Sequence, residues 1–112
     1  MTYKQFEERR KQLNEECEKI LVTKGREYTD GGDRLSNFKQ FKELSPLVVW
    51  FIYFMKHINA INYAVIEGKT LSESLESRFI DARNYIDLGL ALFEELTEEN
   101  DRKGKLKDYG IG

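Results

Sequence analysis

The segment from Ser45 to Gly68 limits the possible folds more than any other part of the chain. Leu44 to Met55 is a run of twelve residues without a charged side chain, well short of the roughly 20 that cross a bilayer. Ser45 offers an N-cap oxygen, and Pro46 suits the first helical position, where no N–H is needed. The helical pattern then runs to Glu67, and Gly68 supplies a stop. A helix of about 33 Å is expected. Its apolar side chains surround the axis. Val48, Ile52, Met55 and Ile66 mark one side, and Trp50, Tyr53, Ile61 and Ala64 the opposite one. A helix that is apolar all round has to be covered all round.

The flanking segments provide part of that cover. Tyr3 to Lys24 reads as an amphipathic helix stopped by Gly25. Tyr3, Phe6, Leu13, Cys17, Ile20 and Leu21 fall in one arc, which Arg10, Asn14 and Lys24 share. Gly31-Gly32 marks a turn, after which Asp33 is placed to cap a short helix reaching Glu43 and turning Leu35, Phe38 and Phe41 inward. Thr70-x-x-Glu73 matches a capping box opening a third long helix that ends near Glu98. Its expected inner stripe is Leu71, Leu75, Phe79, Ala82, Ile86, Gly89, Phe93 and Leu96. Residues 100–112 carry glycine and mixed charge and read as a mobile tail.

Strand-like alternation is absent. Residues 1–99 are therefore expected to form one all-α domain, a helical bundle of three long helices plus one short helix. One copy has too few helices to cover the central one, so a homodimer or higher homo-oligomer is expected to complete it.

The length of 112 residues suits a single domain. Eighteen Lys and Arg against twenty Asp and Glu give a net charge of −2, which speaks against a nucleic-acid polymer as partner. One cysteine excludes an internal disulfide and a four-cysteine zinc site. With no signal-peptide pattern after Met1 and no apolar span, the expected setting is cytoplasmic, without a membrane partner.

Charges on inner faces are the informative feature, because unpaired charge is rarely buried. Arg78 falls inside the inner stripe of the third helix, with Asp81 and Tyr85 on its flank. The two charges can form a local ion pair that orders the bundle, or face a ligand cavity. Lys56-His57 interrupts the apolar central helix, and His57 shares a face with Tyr53 and Trp50. A core or interface histidine explains that placement as well as a ligand does. The loop region adds the cations Lys24 and Arg34, the Tyr28 ring for base stacking and the Asn37 amide. A phosphate-loop pattern ending Gly-Lys-Ser/Thr is absent.

Cys17 sits among apolar neighbours, where a thiol is inert. Glu15-x-x-Glu18 and Glu73-x-x-Glu76 read first as solvated faces. The central helix has no acid before Glu67. A magnesium ion at a phosphate chain would therefore need oxygen ligands from elsewhere in the fold.

Four stretches carry a resemblance. Lys24-Gly25-Arg26-Glu27-Tyr28, Asp33-Arg34-Leu35-Ser36-Asn37-Phe38-Lys39, Lys56-His57-x-x-Ala60 and Glu76-Ser77-Arg78-Phe79-Ile80-Asp81-Ala82-Arg83-Asn84-Tyr85 together resemble the nucleotide modification associated domain 1 family. These are small bacteriophage and prophage proteins, and the likeness covers roughly residues 15 to 95 of this chain. It implies a helical protein of phage nucleotide metabolism or phage–host conflict, acting in the host-cell cytoplasm. Asp81-x-x-Asn84-Tyr85 is more distantly similar to the later acidic motif of the all-α nucleoside triphosphate pyrophosphohydrolases of the MazG and dimeric dUTPase type. Those enzymes pair two acidic motifs around magnesium. Here Arg78 stands where the later motif has its first acid, and Lys56 and His57 stand in place of the first acidic pair.

The expected function is capture of a small phosphorylated nucleotide, with sequestration of a cyclic host-defence signal as one use. Its ligand residues are Lys24, Tyr28, Arg34, Asn37, Lys56, His57, Arg78, Asp81 and Tyr85, with no cofactor. The alternatives are a magnesium-dependent pyrophosphohydrolase using Glu73, Glu76 and Asp81, and a helical interaction module without a small ligand.

Overall fold

A computed structural model describes residues 1–29, 32–69 and 72–102, with the side chains of Tyr28 and Thr29 outside the description. Three long helices make up the fold: α1 (Tyr3–Thr29), α2 (Pro46–Glu67) and α3 (Leu75–Arg102), with a 3₁₀ turn at Ser36–Phe38 between the first two. No strand occurs among the described residues. The all-α bundle is therefore as expected, with differences at the element boundaries and in which faces are buried.

α2 has the expected limits. Pro46 opens it, and the Ser45 carbonyl accepts from the N–H groups of Val48 and Val49 at 2.9 and 3.2 Å. The Ser45 hydroxyl itself makes no cap bond. Gly68 ends the helix in the left-handed conformation, at φ +63°, a region that costs a side-chain-bearing residue about 1 kcal/mol or more.

α1 does not stop at Gly25 but continues to Thr29. Gly25 is buried and has no left-handed φ. An added Cβ there would come within 2.9 Å of Arg34 Nε. This glycine is present for close approach, so it gives no reason for the helix to end.

The short helix expected from Asp33 to Glu43 shrinks to one 3₁₀ turn. Asp33 does cap it, accepting from the Leu35 N–H at 3.0 Å through its carboxylate and from the Ser36 N–H at 3.1 Å through its carbonyl. Lys39 then ties the segment down, donating to Asp33 at 2.7 Å and to Glu95 on α3 at 2.6 Å. Phe38 is fully buried while Phe41 is half exposed, so the two rings do not share a helical face as expected.

α3 opens at Ser74. Its hydroxyl accepts from the Ser77 N–H at 3.1 Å and its carbonyl from the Arg78 N–H at 3.2 Å. Thr70 and Leu71 lie outside the described residues. The helix runs past Glu98 to Arg102, so the first residues assigned to the tail, Asn100 to Arg102, are helical; the remainder, 103–112, lies outside the description.

The buried face of α3 overlaps the expected stripe at Ala82 and Gly89, which are buried, but its centre is turned by about one residue, roughly 100°. Ile80, Asp81, Asn84, Leu88 and Leu92 are also buried, whereas Leu75, Phe79 and Ile86 are exposed. The polar members have partners across the bundle that turn them inward. Asn84 donates to the Cys17 carbonyl at 3.0 Å, and Asp81 pairs with Lys24 at 2.9 Å.

The core lies between the 3₁₀ turn, α2 and α3. Leu35, Phe38, Val49, Leu88 and Leu92 form it, with Trp50, Tyr53 and Tyr85 packed around. Trp50 locks the α2–α3 contact. Its indole N–H donates to the Tyr85 carbonyl at 2.7 Å, and its ring lies against Gly89. Among the described residues no helix is long and apolar enough to cross a membrane.

Candidate functional site

Asp81 is the centre of the polar cluster, with 8% of its surface exposed. One carboxylate oxygen accepts from Lys24 Nζ at 2.9 Å, and the other lies 4.0 Å from His57 Nδ1, too long for a hydrogen bond. One group therefore comes from each long helix. The local Arg78–Asp81 pair does not form; Arg78 Nε instead lies 3.5 Å from Glu73 Oε2.

His57 packs its ring against Tyr85, at 4.7 Å between centroids. Burial holds its pKa below the ordinary histidine value; the Arg78 and Lys24 charges push the same way, against the opposing pull of Asp81 and Glu73. The imidazole is thus neutral at pH 7, with one ring nitrogen a donor and the other an acceptor.

Four of the five buried side-chain polar atoms that lack a hydrogen-bond partner among the described residues sit on residues singled out from the sequence. They are Arg34 Nε, Asn37 Oδ1, His57 Nδ1 and Arg78 Nε; the fifth is Glu16 Oε2. Buried polar atoms in folded proteins are nearly always paired, so each of these needs an explanation. Beside the cluster, α1 and the first turns of α3 frame a groove of about 580 Å³, within the roughly 300–1,000 Å³ range of small-molecule sites. Lys24 and Asp81 form part of its wall, with Glu16, Lys19, Glu27 and Glu73.

The other expected ligand residues divide. Arg34 lies over Gly25, the neighbour of Lys24 in the chain, so it approaches the same end of α1. Tyr85 is half-buried between Phe38 and His57. Lys56 is not brought in: it is exposed, with its ammonium 5.2 Å from the Tyr53 ring centre. The Tyr28 side chain lies outside the description.

The carboxylates named for magnesium each face their own cation. Glu73 meets Arg78, Asp81 meets Lys24, and Glu76 accepts from Arg9 at 2.9 Å. Among the described residues no three His, Cys, Asp or Glu side chains converge as a metal-binding group. Arg9 also reaches Glu16, and Arg83 donates to Asn14. These contacts border a second hollow, of about 570 Å³, floored by Leu13, Cys17, Leu75, Phe79 and Ile80.

Sequence reasoning missed Glu16. Nothing in the acidic spacing singled out Glu16. No known protein family, curated protein or solved structure matches the chain.

Proposed function

We propose that this protein captures a small phosphorylated nucleotide in the crevice around His57, Arg78 and Asp81. The supporting observation is the set of buried polar atoms on Arg34, Asn37, His57 and Arg78 that make no hydrogen bond, Arg78 having only a 3.5 Å ion pair with Glu73. Leaving such a group unpaired costs about 1–3 kcal/mol each. A ligand rich in acceptor oxygens relieves that cost at both arginines, with charge-assisted bonds roughly twice as strong as neutral ones. Lys24 joins them when the ligand's charge competes for it with Asp81. Asn37 and Asp81 then read polar edges of the base, and the Tyr85–His57 ring pair offers it a stacking face. A net charge of −2 speaks against a nucleic-acid polymer, and the groove of about 580 Å³ beside Lys24 and Asp81 has the size of a small-molecule site.

The likeness to phage nucleotide-associated proteins extends this reading to removal of a nucleotide signal, cyclic ones included, from the host-cell cytoplasm. Capture is favoured over hydrolysis because each carboxylate that would hold magnesium is engaged by a separate cation.

Thermal melting with mono-, tri- and cyclic nucleotides tests the proposal. A ligand at 100 times its Kd stabilises the fold by about 2.7 kcal/mol, or roughly 10 °C for a domain of this size. The shift should vanish in Arg78→Ala and survive in Lys11→Ala, an exposed site on α1. No shift with any nucleotide would sink the reading. Pyrophosphate release from a triphosphate with magnesium would replace capture by hydrolysis.

A further inference from the structure

The side of α2 that faces away from the core is a seam without a partner. Val48, Ile52, Met55, Asn59, Asn62 and Ile66 follow one another at alternating steps of four and three residues. This is the a/d spacing that lets one helix pack along another. The single copy leaves this stripe open except at Met55, which is half-buried. Val48 is 47% exposed, Ile52 51% and Ile66 71%, and both asparagines are exposed. Phe51 and Val65, also exposed, widen it along one edge. The core lies on the opposite side of the helix, where Val49, Trp50, Tyr53 and His57 turn inward.

We propose that a second copy of this chain covers the stripe, α2 against α2, with Asn59 and Asn62 hydrogen-bonding across the contact. Three features favour a second copy over another occupant. The stripe has no charged side chain although 34% of the chain is charged, so two identical faces meet without repulsion. A charged partner would find nothing to pair with, and an anionic lipid surface would find only Lys56 and Lys69 at the margins. The second feature is the pair of amides. Asparagine at a seam position costs stability but fixes register and subunit number when it meets its own counterpart.

The third feature is size. An aromatic side chain presents about 150–250 Å², so Phe51, at 53% exposure, offers on the order of 100 Å². With the smaller side chains along a stripe of about 27 Å, each copy contributes several hundred Å². Two copies reach the ~1,000 Å² that a biological interface needs. Because His57 faces the other way, each protomer keeps its own crevice open.

Sedimentation equilibrium at micromolar concentration tests this on the full chain, with circular dichroism as the check on folding. The wild type should be dimeric. Ile52→Lys and Asn59→Asp both change exposed positions, so helicity should hold, while facing like charges raise the dissociation constant at least about 100-fold. A monomeric wild type overturns the proposal. So does a dimer that survives both substitutions, which would place the contact on another face. Nucleotide-induced stabilisation should persist in both variants, so loss of the dimer and loss of the ligand site are read separately.

Discussion

Replacing Gly89 with alanine tests how α2 and α3 are locked together. In an isolated helix this change is favourable by about 0.8–1.0 kcal/mol. In this bundle the added Cβ would lie within 2.5 Å of Trp50 Cε2 and 3.0 Å of Cη2, well inside the ~3.5–4.0 Å at which carbon atoms pack. Trp50 has little freedom to move away. Its N–H is held by the Tyr85 carbonyl at 2.7 Å, and its ring stacks on Phe54 at 5.0 Å between centroids. Overpacking of this kind costs about 1–3 kcal/mol, and losing the indole hydrogen bond adds about 0.5–1.5 kcal/mol.

Subtracting the helix gain leaves a net loss of about 2 kcal/mol. Urea unfolding measures it directly: with a slope of about 1–3 kcal/mol per molar, the midpoint falls by roughly 1 M. Trp50 is the only tryptophan in the chain, so its emission reports both the unfolding and the native-state displacement. A variant as stable as the wild type or more so, with unchanged native emission, would show that the Gly89–Trp50 contact does not hold the helices together.

Gly25→Ala should act in the opposite way. The added Cβ displaces only the flexible end of Arg34, 2.9 Å away, so stability is unchanged or rises by up to about 1 kcal/mol, while nucleotide affinity drops at least tenfold; unaltered affinity in titration calorimetry would remove Arg34 from the site. His57 sets a pH dependence: its folded pKa lies below the ordinary 6.5, so the unfolded chain binds the proton more readily. The resulting stability is present above pH 6.5 and is lost as pH falls through the folded value. Unfolding titrations should show that decline in the wild type and a flatter profile in His57→Gln; parallel profiles would deny His57 the role. Asn84→Asp should cost more than Asn84→Ala, because it sets a carboxylate against the Cys17 carbonyl that Asn84 now donates to. The alanine variant should lose about 1–3 kcal/mol in urea unfolding, and equal losses would argue against that hydrogen bond.

Local signals were legible and non-local ones were not. Ser45-Pro46 and Gly68 define α2 because a proline start and a left-handed glycine stop act on their own neighbours. Gly25 misleads because a glycine for close approach and a glycine for a turn are the same letter, and only the position of Arg34 separates them. α3 misleads in a related way. Its apolar letters point to one face, but Asp81 and Asn84 are drawn inward by Lys24 and by the Cys17 carbonyl, both on another helix. Lys39 bridging Asp33 and Glu95 is similarly invisible in the sequence. The inner charges of the candidate site were readable as types out of place, and Lys24, His57, Arg78 and Asp81 do come together. Lys56 does not, because one step along a helix turns a side chain by roughly 100° and so separates it from His57.

That single step has a wider consequence for α2. A helix apolar on all sides suggests one uniform demand for cover, yet its two sides meet different needs. The side with Val49, Trp50, Tyr53 and His57 is covered within the chain, through Phe38, Tyr85 and Gly89. The side with Val48, Ile52 and Ile66 remains open. A chain of this length buries only a modest core; Phe38 and Leu92 are its only large, fully buried side chains among the described residues. Selection for monomer solubility alone would favour charge on the open side, as the exposed faces of α1 have. The uncharged stripe persists from Val48 to Ile66, interrupted by two amides and no ions, which is the pattern the proposed contact with a second copy requires. The polar residues of α2 follow the same division: His57 faces the charged crevice within one copy, and Asn59 and Asn62 face outward along the uncovered stripe.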